Sequence, residues 1–159
     1  MQTILAGYDG TSAAEHALGR VAELAEAFGS KVFVVSVSAP EPTSMPGAFG
    51  LMPYDYSPPI SGPPDDDLWA QHRTQVEGFF AGRNISVEFV GVRGLPVEEI
   101  VELANEHQAD LIVVGTREAG FLERLLVGSV SQGVARHARC DVLIVHPPEV
   151  QTAPSSSDS

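Results

Sequence analysis

Residues Leu111–Val145 read LIVVGTREAGFLERLLVGSVSQGVARHARCDVLIV, and this stretch decides the fold. An apolar run of strand length stops at Gly115, a connector follows, and a Gly-Ser step at Gly128-Ser129 opens a short helix. A second apolar run, from Asp141 to His146, comes next. Continuous apolar runs flanking a helix are the mark of parallel strands buried on both faces. A glycine that ends such a strand, with a Gly-Ser step starting the next helix, lets backbone N–H groups converge on a phosphate. Ser129 and Gln132 also have capping-box spacing, which explains the serine without any ligand.

Working outward, the same alternation fills the rest of the chain. Thr3–Tyr8 (TILAGY) is a buried-strand run closed by Asp9-Gly10. Ser12 and Glu15 form a capping-box pair, and Ala14, Leu18, Val21, Ala25 and Phe28 recur at helical spacing. Lys31–Ser38 is the second strand and Ile85–Val92 the third. Asp65-Asp66-Asp67 introduces a helix to about Gly82; three acids there suit the positive helix start better than a metal. Pro96 introduces a helix from Val97 to His107. Ala109–Gly115 is the fourth strand and Asp141–His146 the fifth. Five strands with helical crossovers predict a doubly wound α/β parallel sheet with helices on both faces, Rossmann-like, in the order 3-2-1-4-5.

Two segments break the pattern. Residues 39–64 hold most of the twelve prolines, and predict a long irregular excursion whose Phe49, Leu51, Met52, Tyr54 and Tyr56 are too apolar for a pure linker. After Pro147-Pro148, residues 149–159 are polar and predict a disordered tail. The expectation is therefore one domain over residues 1–148.

Composition narrows the partners. A formal charge of −12 and a pI near 4.6 argue against nucleic acid and anionic membrane surfaces. The single cysteine, Cys140, excludes an internal disulfide and reads as an inert thiol. A start without a basic segment, and the lack of any apolar run of membrane-spanning length, predict a cytoplasmic protein. Four of the nine cations, Arg117, Arg124, Arg136 and Arg139, fall in the quoted stretch. The last two sit where a helix end welcomes positive charge; Arg117 and Arg124 are candidates for facing an anion. The five histidines, His16, His72, His107, His137 and His146, are scattered in no ligand or base spacing, and no catalytic constellation is apparent.

In doubly wound sheets the ligand sits beyond the carboxyl ends of the strands, where the chain reverses direction. That places Gly7-Tyr8-Asp9 beside Val114-Gly115-Thr116, with Ser129 aimed at the same crevice. Asp9 alone could be a turn residue, and Gly115 and Gly128 could simply permit turns. Their convergence favours a binding site.

On these residues the chain resembles the universal stress protein family, from Gln2 to Pro148. The family's phosphate motif is glycine, two residues, glycine, nine residues, glycine, then serine or threonine. Gly115, Gly128 and Ser129 match its spacing, and Val130-Ser131 and RGLPVEEIVELA from Arg93 are similar too. The resemblance implies an adenine-nucleotide-binding regulatory or stress-response module that is not an enzyme beyond slow incidental ATP hydrolysis. Its ligand would be ATP, AMP or cyclic AMP, with or without Mg²⁺ or Mn²⁺. It also implies that Asp9 contacts the nucleoside, that Val37 meets adenine, and that the last strand (Val142, Leu143, Ile144, Val145) pairs across a homodimer. Gly7, Val114, Thr116 and Arg117 complete the expected site.

One position departs from the motif: its second glycine is replaced by Glu118. A carboxylate about 5 Å from a phosphate charge, at an effective dielectric near 20, costs on the order of 3 kcal/mol, about two decades of affinity. The ATP grip is thereby weakened, and AMP or cyclic AMP suffers less. The alternative is a nucleotide-independent dimeric interaction protein of the same fold.

Overall fold

The structure, a computed structural model, describes residues 1–39, 66–116 and 129–147. The excursion at 39–64 (beyond Ala39), the connector with Arg117, Glu118, Arg124 and Gly128, and the tail at 149–159 lie outside the described residues. The elements are β1 (Thr3–Gly7), α1 (Ser12–Phe28), β2 (Lys31–Ser38), α2 (Asp66–Phe80), β3 (Val87–Arg93), α3 (Pro96–Glu106), β4 (Leu111–Gly115), α4 (Ser129–His137) and β5 (Asp141–Val145). The five strands form one parallel sheet in the order β3-β2-β1-β4-β5. This is the order that strand chirality and crossover rules anticipate.

Alternation along the central strands feeds two cores. Ile4, Ala6, Val32, Val34 and Val113 point to one face, against Leu18, Val21 and Ala25 of α1 and Val76 and Phe80 of α2. Leu5, Phe33, Val35, Ile112 and Val114 point to the other, against Ile100, Leu103 and Ala104 of α3 and Val134 of α4. Period two in the strands and 3.6 in the helices thus separate the layers. Each fully buried Val, Leu or Ile contributes about 1.5–3 kcal/mol.

The helix boundaries differ in detail from the sequence reading. The N-cap of α1 is Thr11, not Ser12: Thr11 is extended (φ −80°, ψ 160°) and its hydroxyl accepts from Ala14 N–H at 3.2 Å. Ser12 is already helical, so its side chain cannot turn back to cap. Phe28, read as part of the apolar stripe, is 57% exposed. It occupies the last helical position, just before Gly29 closes the helix in the left-handed conformation (φ 66°). Asp66 and Asp67 do lie in the first turn of α2. No helix among the described residues is long and apolar enough to cross a membrane.

Candidate functional site

β1 and β4 are neighbours in the sheet, while their following helices, α1 and α4, pack on opposite faces. The sheet therefore opens at their carboxyl ends. A crevice of about 120 Å³ lies there. Val35 and Val37 of β2 and Pro96 and Ile100 of α3 form an apolar wall. Tyr8, Asp9 and Thr11 line one side, and Val114, Gly115, Thr116, Val130 and Ser131 the other.

Local sequence explains the shape. Gly7 at the end of β1 leaves room for Val114 and Ile100, whose side chains would stand 3.3 and 3.4 Å from a Cβ placed there. At Gly115 a Cβ would meet backbone: Ala13 O at 2.7 Å and Ala13 C at 2.9 Å. Gly115 is thus required by the close approach of β4 to the first turn of α1, not by an unusual φ, since it is absent from the positive-φ residues. After the strands end, Tyr8 N–H still donates to Val35 O (2.8 Å) and Thr116 N–H to Val145 O (3.0 Å). The loops that carry the polar groups are therefore tethered to the sheet.

Asp9 is held by its own turn. Its Oδ1 accepts from Thr11 N–H at 3.1 Å and from Thr11 Oγ1 at 2.6 Å. That pair anchors the cap of α1 and sets the carboxylate at the mouth of the crevice, where Asp9 is exposed. Ser131 is buried, and its hydroxyl donates to Gly115 O at 3.2 Å, fastening the first turn of α4 to the end of β4. The positive end of α4 thereby faces the crevice. The Tyr8 hydroxyl donates to Gln75 Oε1 at 3.0 Å. Burial, then the carboxylates of Glu15 and Asp9, push the Tyr8 pKa above its ordinary value.

The fold is shared with known proteins. The sequence model of the universal stress protein family matches residues 1–146. The chain belongs to that family. A universal stress protein of Mycobacterium tuberculosis is 33% identical over 145 residues, covering 91% of this chain and 96% of the relative. A universal stress protein crystallised in complex with cAMP superposes with a TM-score of 0.61 at 29% identity, covering 91% of this chain and 96% of the other. The universal stress protein from Archaeoglobus fulgidus, in complex with dAMP, has the same fold (TM-score 0.67, 21% identity, 91% and 98% covered).

Of the site residues read from the sequence of this universal stress protein, the fold brings Gly7, Asp9, Val37, Val114, Gly115, Thr116, Val130 and Ser131 to one crevice. Ser129 opens α4; its side chain, like Arg117, Glu118 and Gly128, lies outside the described residues. Tyr8 bounded the strand in the sequence reading without being singled out for the site, and Thr11, Ala14, Val35, Pro96 and Ile100 were not singled out either. Alternation from Val37 points to Val35, and the i, i+4 step from Pro96 points to Ile100. Thr11 was hidden by the better-looking Ser12.

The remaining candidates are placed elsewhere. His137 is exposed, with Nδ1 2.8 Å from Gly133 O. Burial, then Asp141, pushes the Cys140 thiol above its ordinary pKa, which keeps it a poor nucleophile. His72 is different: it is buried, 6% exposed, and was not read from its sequence position. Among the described residues there is no group of three or more His, Cys, Asp or Glu able to hold a metal ion.

Proposed function

We propose that the crevice binds an adenine nucleotide and that the protein is a non-catalytic regulatory module of the stress response. The observation that carries this reading is the convergence of three unlike surfaces on one opening. The apolar wall of Val35, Val37, Pro96 and Ile100 suits a purine face. Asp9, locked by Thr11, offers a carboxylate to ribose hydroxyls. The first turn of α4 offers its positive end to phosphate. The cAMP complex of a relative at 29% identity supports the same ligand class.

Glu118 tilts the preference. The motif glycine it replaces would let backbone approach the phosphates, so a monophosphate or cyclic nucleotide is the favoured ligand over ATP. A binding role also fits the side chains. The Ser36–His72 hydrogen bond resembles a nucleophile–base pair, but both residues are buried and neither lines the crevice.

β5 is an edge of the sheet, and Val142, Leu143 and Ile144 are only half-buried there. An apolar edge strand is a liability unless paired, which supports a homodimer formed through Val142–Val145. Sedimentation equilibrium at micromolar concentration should return a dimer, and a monomer would reject that part of the reading.

Calorimetric titration of the nucleotide-stripped protein with ATP, AMP and cyclic AMP, each with and without Mg²⁺, tests the ligand. Binding that prefers AMP or cyclic AMP is the expected result. A preference for ATP would mean that Glu118 is accommodated. No heat and no thermal shift with any of the three would reject the nucleotide reading in favour of a nucleotide-independent interaction protein.

A further inference from the structure

His72 on α2 is the buried imidazole of the fold. Its Nδ1 lies 2.8 Å from Ser36 Oγ of β2. Its ring meets Tyr8 edge to face, with centroids 5.2 Å apart and planes at 81°. Its far edge presses on the loop after β1: a Cβ placed on Gly10 would stand 2.8 Å from His72 Nε2. Gly10 also has φ +78°, so conformation and the imidazole both require glycine there. One ring therefore touches β2, the end of β1 and the turn that carries Asp9 and Thr11. Tyr8, Asp9 and Thr11 line the crevice, while the ring itself lies behind them.

We propose that His72 is a positioning residue for the crevice: its neutral ring holds the Tyr8–Thr11 loop in the binding geometry, and its protonation releases that loop, so that acid weakens nucleotide binding. The binding half of this proposal rests on the nucleotide reading of the crevice.

The surroundings set the sign. Among the described residues, the groups that face the ring are Ser36 from β2, and Tyr8 and Asp9 from β1 and its loop, with Gln75 and Glu15 next to Tyr8. Burial lowers the His72 pKa, and the Asp9 carboxylate opposes this without reversing it. A docked ring with a lowered pKa binds its proton less readily than an undocked one near 6.5. The docked loop is thus fully stabilised above about pH 6.5 and loses stability as pH falls from there through the lowered value. A hydroxyl and a neutral imidazole satisfy each other at Ser36 in either tautomer, whereas an imidazolium must carry its charge in a largely buried place among Ser36, Tyr8 and Gly10.

Two readouts between about pH 7.5 and 5.5 test the proposal on the full chain. In the unliganded protein, the Thr11 and Ala14 amide resonances of a nitrogen–proton correlation spectrum should shift in one transition below about pH 6.5. In His72→Gln that transition should vanish. Calorimetry with cyclic AMP, whose phosphodiester does not titrate in this window, should show affinity falling severalfold over the range; AMP, whose phosphate itself titrates at about pH 6, is measured at pH 7.5 only. In His72→Gln the profile should be flat, at whatever affinity that variant shows at pH 7.5. His72→Phe keeps an aromatic ring against Tyr8 and Gly10, and serves if His72→Gln does not fold. Loop amides that do not move in the natural sequence, or an equal pH slope in the variants, overturn the proposal. Loop amides that titrate in a protein binding neither nucleotide at pH 7.5 support the hold of His72 on the loop and reject the binding half, together with the nucleotide reading.

Discussion

Replacing Gly115 by alanine asks whether that glycine is present for its freedom or for its size. The added methyl would lie 2.7 Å from Ala13 O, 2.9 Å from Ala13 C and 3.2 Å from Ala14 N, all backbone atoms of the first turn of α1. No side chain can swing aside, so β4 and α1 must part by several tenths of an ångström. Overpacking of this kind costs about 1–3 kcal/mol. For a chain of this size each kcal/mol lowers Tm by about 2–4 °C, so a fall of about 2–12 °C should appear by scanning calorimetry. Gly19→Ala in α1 is the internal control. Nothing lies within 4 Å of a Cβ there, and alanine in a helix interior gains about 0.5–1 kcal/mol over glycine. The two substitutions should move Tm in opposite directions. Gly115→Ala should also weaken cyclic AMP binding, because Ala14, Thr11 and Gly115 line the crevice that the displacement distorts. A Tm for Gly115→Ala equal to or above that of the natural sequence would refute the close-approach argument. It would leave the motif glycine to be explained by its ligand alone.

Glu118→Gly should strengthen ATP binding at least about tenfold, within the two-decade ceiling set by one like-charge contact, and change AMP affinity less; an unchanged or weaker ATP affinity by calorimetry would sink the carboxylate-filter idea. Asp9→Ala should weaken every adenine nucleotide, whereas Asp9→Asn keeps an acceptor for Thr11 N–H and separates loss of charge from loss of the turn. If neither variant alters binding in a fluorescence or calorimetric titration, Asp9 is only a turn residue. Asp110 accepts from Gln2 N–H at 2.6 Å and Thr3 N–H at 2.9 Å, and those two hydrogen bonds hold its carboxyl below the usual range. A carboxylate with a depressed folded pKa stabilises above its unfolded value, about 3.9, and loses that contribution as pH falls through the folded one. Asp110→Asn should therefore be less stable at pH 7 in urea titrations, with the gap closing in acid; a gap that is constant across pH would show that its charge is irrelevant.

Much of the architecture was legible in the chain because it depends on local pattern. Apolar runs of strand length alternating with helical stripes define the β/α units, and chirality then restricts their order. The motif spacing Gly115, Gly128, Ser129 and the polar strand end at Asp9 were equally visible. Boundaries were less so. Thr11 rather than Ser12 caps α1 because the choice turns on which residue is still extended, and that is settled by the Asp9 turn upstream. Phe28 continues the stripe in sequence and is solvent-exposed in space.

Sequence alone determined the alternation of elements, the family and the strand ends that should face a ligand, since each of these is written in residues close together or in fixed spacing. Only the tertiary structure decided what those residues touch. It set Gly115 against the backbone of Ala13, and it turned the Ser131 hydroxyl to the Gly115 carbonyl. It carried His72 across from α2 to lie against Ser36, Tyr8 and Gly10. The physical reason is distance along the chain. Contacts made by packing one layer on another join residues with no mutual spacing to read, so a buried imidazole behind a binding loop has the same sequence signature as a histidine in water.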